Sequence, residues 1–311
     1  MKLFFKLPDF WFGSLFAIIL SVLSISTSHA QIFVTDSGAE TIGEYNLDGT
    51  TVNASLVSGL NGFPIGLAVS GSNLFVANNK SGTIGEYNLD GTTVNDSLIS
   101  GLANPLTLAI SGSNLFVVNE GFGANGTIGE YTLDGTPVNA SLISGLNNTP
   151  QGIAISGSNL FVSNFNNGTI SEYGLDGTLV NASLISGLNG PAGITISGSN
   201  LFVVNYSNGT IGEYNLDGTP VNASLVSGLP INIGSGPTDI AVFGSNLFVT
   251  DQNGTIGEYN LDGTPVNTSL VSGLSAPEIL VIIATPEPST IVLMVLGLSI
   301  LAYGHFRMRR V

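Results

Sequence analysis

The sequence predicts an all-β fold, a six-bladed β-propeller over residues 31–284 that is closed by exchange of strands between the two ends of the domain. Three observations predict it. First, a block reading GEYNLDGT or a close variant returns with its tyrosine at Tyr45, Tyr87, Tyr131, Tyr173, Tyr214 and Tyr259, a period of about 42 residues. Four-stranded propeller blades have a period of this size. Second, each period breaks at Asn-Gly and Asp-Gly pairs into four short apolar runs, the pattern of consecutive antiparallel hairpins. Third, the ends are complementary. The chain after residue 30 begins with QIFVTD, which matches a second run and has no first run before it, whereas the last repeat is followed by a surplus first run, APEILVII.

The elements follow in order. Lys2 and Lys6 precede an apolar stretch from Gly13 to Ser26, and Ser28 and Ala30 place small residues at −3 and −1. That is the make-up of a secretory signal peptide, so residues 1–30 are expected to be recognised by export machinery and cleaved before Gln31. An uncleaved anchor is the alternative, for which the apolar stretch falls short of the ~20 residues that span a bilayer. Within a typical repeat, GITIS (Gly193–Ser197) is the first strand and NLFVVN (Asn200–Asn205) the second. GTIGEYNL (Gly209–Leu216) is the third, and TPVNASLVSGL (Thr219–Leu229) the fourth. Radial packing buries the apolar faces of such sheets against their neighbours and leaves only short edges. An open solenoid would instead need polar capping repeats.

Charge excludes one class of partner. Between residues 31 and 284 stand 19 Asp and Glu against the single Lys80, about −18 in total. Nucleic acid binding needs clustered Lys and Arg, so no nucleic acid partner is expected. The chain has no Cys, and its two His are His29 and His305, which leaves the repeats without a thiolate metal site or a Ser-His-Asp arrangement.

The stretch GITISGSNLFVVNYSNGTIGEYNLDGT resembles the NHL-type and gluconolactonase-type propeller repeat, and the resemblance covers roughly residues 31–284. It speaks to fold and very little to activity. The positions after the repeated proline should ring one mouth of the central channel: Ile65, Leu106, Gln151, Ala192, Thr238 and Glu278, followed by Gly66, Thr107, Gly152, Gly193, Asp239 and Ile279. Gluconolactonase-like propellers hold a divalent metal there with a Glu, an Asn and an Asp. Glu278 could stand for the Glu, but Asp239 is one residue out of register and Gln151 is not a carboxylate, so the resemblance supplies a broken triad. A lactonase-like, metal-dependent hydrolase using Glu278, Asp239 and Gln151 is the alternative function. Phe165 and Tyr206, on Asn-rich loops, add aromatic groups that would suit a sugar or peptide.

Residues present in every repeat are expected to be architectural. Asp48, Asp90, Asp134, Asp176, Asp217 and Asp262 precede the turn glycines. There Asp-Gly supplies the positive φ of a tight hairpin. Glu44, Glu86, Glu130, Glu172, Glu213 and Glu258 sit on the third strand and need donors, for which backbone N–H groups or Tyr and Thr hydroxyls are the expected source. Bridging by Ca²⁺ is the competing reading, though one Glu per blade offers fewer oxygens than Ca²⁺ takes. No cofactor is otherwise called for. The repeated Asn-x-Ser motifs, as at Asn53, Asn139, Asn181 and Asn222, would suggest glycosylation in a eukaryotic secreted chain, but because most fall in repeated turns they read as turn-forming Asn.

After Ala284 the composition breaks. Pro286, Glu287 and Pro288 lead into an apolar segment, residues 290–306, and then Arg307, Arg309 and Arg310. The length is near the lower limit for a membrane span, and the terminal arginines set its C-terminus in the cytoplasm. Residues 285–311 resemble the PEP-CTERM sorting signal of exopolysaccharide-producing Gram-negative bacteria. That resemblance implies a C-terminal sorting helix, an exosortase-type enzyme as partner, and membrane anchoring before delivery to the cell surface or biofilm matrix. The expected function is accordingly an exported binding or structural module, with exopolysaccharide or surface proteins as partners.

Overall fold

The computed structural model describes residues 29–60, 62–121, 126–146 and 149–285. The signal peptide, the PEP-CTERM-like motif, the apolar segment 290–306 and the terminal arginines lie outside these residues. Among the described residues no helix is long and apolar enough to cross a membrane.

Twenty-four strands are found among the described residues. The chain opens with β1 (His29–Asp36), β2 (Thr41–Asn46) and β3 (Thr51–Ser58). Next come β4 (Pro64–Ser70), β5 (Asn73–Asn78), β6 (Thr83–Asn88) and β7 (Thr93–Ser100). The third set is β8 (Pro105–Ser111), β9 (Asn114–Asn119), β10 (Gly126–Thr132) and β11 (Pro137–Leu146). The fourth is β12 (Pro150–Ser156), β13 (Asn159–Asn164), β14 (Thr169–Gly174) and β15 (Leu179–Ser186). The fifth is β16 (Pro191–Ser197), β17 (Asn200–Asn205), β18 (Thr210–Asn215) and β19 (Pro220–Val226). The last is β20 (Pro237–Phe243), β21 (Asn246–Asp251), β22 (Thr255–Asn260) and β23 (Pro265–Ser272), followed by β24 (Pro277–Thr285). They form six four-stranded sheets. Five are meanders, and the sixth has the order β24-β1-β2-β3. The surplus strand thus completes the deficient blade, as the sequence predicts. β1 starts two residues ahead of the expected cleavage point, so cleavage there would trim its first two residues.

The second strand of each blade is apolar throughout because it is buried on both faces. In β17, Leu201 and Val203 pack toward blade four, with Phe161 and Ile170, while Phe202 and Val204 pack toward blade six, with Leu247 and Val249. Period-two alternation along the strand therefore serves two interfaces at once. Equivalent clusters fill every junction, and the one between blades six and one joins Phe248 and Ile256 to Ile32, Val34 and Leu280. The ring is closed by the same packing that builds it.

Hydrogen bonds fasten the hybrid blade. Asp36 Oδ2 accepts the Ser275 N–H at 2.7 Å, and Oδ1 accepts the Ala276 N–H at 2.9 Å. The Ser37 N–H donates to Ala276 O at 2.9 Å. Residues from opposite ends of the domain are thereby clasped immediately before β24 begins.

The face opposite the mouth is formed by repeated turns. Asp48 Oδ1 accepts the Thr50 N–H at 2.9 Å and the Thr50 hydroxyl at 2.6 Å, and Gly49 has φ 82°. A Cβ on Gly49 would lie 2.1 Å from Leu270 O on the preceding blade, so both backbone conformation and space require glycine. The sixfold Glu has a different partner from the expected one. It accepts from the side-chain amide of the Asn that opens the second strand, as in Asn114 to Glu130 and Asn159 to Glu172, each at 2.6 Å. Blade one carries Gln31 at that position, no side-chain bond joins it to Glu44, and burial raises the Glu44 pKa. On the outer strands Asn53 forms an Asx-turn inside a strand rather than a chain reversal between strands. It lies within β3 at a register shift opposite Glu44, and its Oδ1 accepts the Ser55 N–H at 3.1 Å. Such bulges blunt an otherwise uncharged sheet edge.

Candidate functional site at the channel mouth

Two rings of residues define the mouth. The inner ring is set by the proline that opens each innermost strand, and all six residues after it, Ile65, Leu106, Gln151, Ala192, Thr238 and Glu278, line one cavity of about 470 Å³. The outer ring is the residue after the Asn or Asp that ends each second strand: Ser37, Asn79, Glu120, Phe165, Tyr206 and Gln252. Glu120, Phe165, Tyr206 and Gln252 line the same cavity. Every blade puts a different side chain at this outer position, whereas the strands beneath are nearly identical.

The outer ring organises the inner one. The Tyr206 hydroxyl donates to Gln252 Oε1 at 3.2 Å, and Gln252 Nε2 donates to both Glu278 oxygens at 2.9 and 3.1 Å. The Ser37 hydroxyl adds a bond to Glu278 Oε1 at 2.9 Å. Phe165 meets Tyr206 edge to face, with ring centroids 5.8 Å apart and planes at 60°, a favoured aromatic geometry. Burial pushes the Glu278 carboxyl up to about 7, assisted by the charge of Asp36 and opposed by the bonds from Gln252 and Ser37. Burial, with the charges of Glu278 and Asp251, raises the Tyr206 phenol.

Four of the five residues expected at the mouth, Glu278, Gln151, Phe165 and Tyr206, are brought to one cavity; the fifth, Asp239, is not. Its side chain is only 8% exposed and lines a second cavity, of about 270 Å³, farther along the channel with Leu67, Ile153 and Ile240. Neighbouring residues of a strand point to opposite faces, so the one-residue offset from Thr238 removes Asp239 from the mouth. Asp239 Oδ2 accepts the Leu280 N–H at 3.1 Å. A Cβ on Gly193 would fall 2.4 Å from its Oδ1. Burial pushes its pKa up to about 7, with Glu278 adding to the rise and the backbone bonds from Ile240 and Leu280 opposing it.

This arrangement does not fit the metal that the gluconolactonase resemblance implies. Glu278 is the single candidate ligand of the three that brings a carboxylate to the mouth: Asp239 lines a different cavity, and Gln151 is no carboxylate. Among the described residues no group of three or more His, Cys, Asp or Glu converges to hold a metal ion. Sequence reasoning missed Ser37, Glu120 and Gln252, although their position, like that of the inner ring, changes in every repeat and was a readable signal.

No family model matches the sequence, and no curated protein sequence matches it. Among solved structures it is similar to a chain of a nidogen/laminin complex, at 18% identity over 82% of this chain and 98% of that one, with a TM-score of 0.69. It is also similar to a gluconolactonase from Xanthomonas campestris, at 17% identity over 71% and 79%, TM-score 0.57. A virginiamycin B lyase from Staphylococcus aureus gives 19% over 79% and 82%, TM-score 0.55. At such identities the likeness is one of fold. The class it defines is the six-bladed β-propeller.

Proposed function

We propose that this chain is an exported propeller that works at the cell surface or in the extracellular matrix of a Gram-negative bacterium as a binding module, presenting the mouth cavity on a rigid ring. One observation carries the reading: side-chain variety is concentrated in the two rings of the mouth, where all six blades differ, whereas the second and third strands are copied almost unchanged. Binding sites are expected on variable loops held by a rigid scaffold. The signal peptide and the residues Pro286, Glu287, Pro288, Arg307, Arg309 and Arg310 support export and handling by an exosortase-type enzyme. In a host that carries an exosortase, Glu287→Ala should block processing and hold the chain in the membrane; unchanged processing would refute the sorting reading. For binding, Tyr206→Ala should weaken retention of the secreted protein in exopolysaccharide-rich matrix, whereas Val52→Ser on an outer strand should not.

The second reading, a periplasmic or cell-surface hydrolase of the lactonase kind, draws support from Glu278 and Asp239. Carboxyls held near 7 are suited to proton transfer at neutral pH. Only one of them reaches the mouth, which favours binding over catalysis. Stoichiometric divalent metal in the purified protein, lost in Glu278→Ala, would reverse that preference.

A further inference from the structure

The mouth has a definite electrical and chemical character. Its charged residues are Glu120 and Glu278, and no Lys, Arg or His lines it among the described residues. The one basic side chain of the propeller, Lys80, is not among the lining residues and lies over the Phe63 ring, 5.7 Å from the centroid. With 19 acidic residues in the surrounding ring, the potential at the opening is negative both locally and overall, which repels anions and concentrates cations. Acidic residues alone would make no site; the aromatic wall supplies a second, independent element. Phe165 and Tyr206 line the same cavity and meet edge to face, the Glu278 charge reaches the Tyr206 phenol, and the Gln252 amide ties that carboxylate to the Tyr206 hydroxyl. Aromatic faces next to a carboxylate attract an ammonium group, and 470 Å³ is the size of a small-molecule cavity.

Building on the reading of the mouth as a binding site, we propose that its ligand is a small organic cation, an amine or quaternary ammonium carried on a neutral body, with its charged head against the Phe165 and Tyr206 rings and the Glu278 carboxylate. The neutral body then meets Gln151, Thr149 and Ile65 around the rest of the cavity.

Proton linkage gives this ligand class a signature. Glu278 faces Asp36 and Ser37 from blade one, Gln252 and Asp251 from blade six, Asp239 on β20 and Tyr206 from blade five. All the charges in that set are negative or absent, so an ionised Glu278 has the Gln252 and Ser37 hydrogen bonds but no cation of that set to offset its charge. With the carboxyl near 7, a cation must displace its proton at pH 6 and finds it ionised at pH 8, a change of about tenfold in affinity. A neutral ligand has no such dependence.

Calorimetry on the purified full chain in detergent tests the proposal with matched pairs: choline against 3,3-dimethylbutan-1-ol, and cyclohexylamine, which stays protonated throughout pH 6 to 8, against cyclohexanol. At least one cation is expected to bind at least tenfold more tightly than its neutral partner, to gain about tenfold from pH 6 to pH 8, and to be lost in Tyr206→Leu. Glu278→Gln should abolish the pH dependence while thermal unfolding shows the protein folded. Equal or tighter binding of the neutral partners would overturn the cation assignment and leave the mouth as a binding site. Failure of every probe would overturn the cation assignment as well. If Tyr206→Ala also left matrix retention unchanged, the binding reading would fall with it.

Discussion

The two faces of this ring are built from the same repeat and differ in what they repeat. On the face opposite the mouth, the Asp-Gly turn recurs with the same bonds: Asp48 to Thr50, Asp90 to Thr92, Asp217 to Thr219 and Asp262 to Thr264, each pairing carboxylate and hydroxyl at 2.6 Å. On the mouth face the corresponding loops present Ser, Asn, Glu, Phe, Tyr and Gln in turn. A residue copied into every blade can serve only what every blade needs, namely turning and packing. A residue found once is free to serve a ligand. Folding and recognition are thus separated by face, and the separation can be broken or sharpened by substitution.

The largest expected effect is in the copied part. Phe202 is 2% exposed and packs between blades five and six. Phe202→Ala should cost about 3–5 kcal/mol in urea unfolding, whereas Tyr206→Ala, four residues on and half-buried, should cost well under half of that. Comparable losses at the two sites would mean that the mouth is structural after all.

Next in size is the response to pH, where the mouth side works against the rest of the ring. The folded-state values of Asp239 and Glu278, both near 7, lie above the ordinary carboxylate range. The fold therefore binds these protons more tightly than the unfolded chain does. What they contribute is fully present at acid pH and is lost as pH rises through about 7. The turn Asp residues behave oppositely, because bonds from Thr hydroxyls and N–H groups lower them. Their contribution is present above the ordinary Asp range and is lost on acidification. Maximal stability should fall between the two ranges, on the acid side of neutrality. Asp239→Asn should raise stability at pH 8 by roughly 2–4 kcal/mol and flatten the profile between pH 5 and 8; an unchanged profile would show that Asp239 ionises freely.

How much of this was legible in the sequence varies with how local the determining interaction is. Strand number, turn positions and closure were readable because they depend on short-range signals: the 42-residue period, Asp-Gly, and half-repeats that sum to a whole. The donor to the sixfold Glu was not. Asn73 pairs in register with Asn88, and Glu86 is two residues away on the adjacent strand, so their contact is a diagonal one that appears only once the register is known. Asp239 was misplaced for a related reason, since a shift of one residue along a strand exchanges the mouth for the channel wall. Gln252 lies on a loop that reaches over to blade one, a long-range contact with no local signature.

The clasp tests whether closure is special or merely one more junction. Asp36 receives two backbone N–H groups from the segment leading into β24, and bonds to a charged acceptor are worth about 1.5–3 kcal/mol. Asp36→Asn keeps the shape but turns one acceptor into a donor facing an N–H group. A loss in that range is expected, together with earlier hydrogen exchange in β24 than in β16, the innermost strand of blade five. Uniform exchange around the ring would show that packing at Phe248, Ile32 and Leu280 closes it without help.

The smallest effect probes the one blade that departs from the copied pattern. Glu44 is the member of its set that lacks an Asn partner, since Gln31 holds in β1 the register position at which Asn opens the other second strands, and burial raises its pKa without a donor to oppose the rise. A buried carboxylate that gains a hydrogen bond is stabilised in its charged form. Gln31→Asn should therefore lower the Glu44 pKa and add about 0.5–1.5 kcal/mol at pH 7. The reciprocal change, Asn73→Gln, should impose the blade-one condition on Glu86 and remove a similar amount. Unfolding of both variants at pH 7 and pH 4 separates the bond from mere packing. If the Asn amide acts by holding an ionised Glu, the two differences shrink together as the carboxyls are protonated; if the shorter side chain simply packs better, they persist.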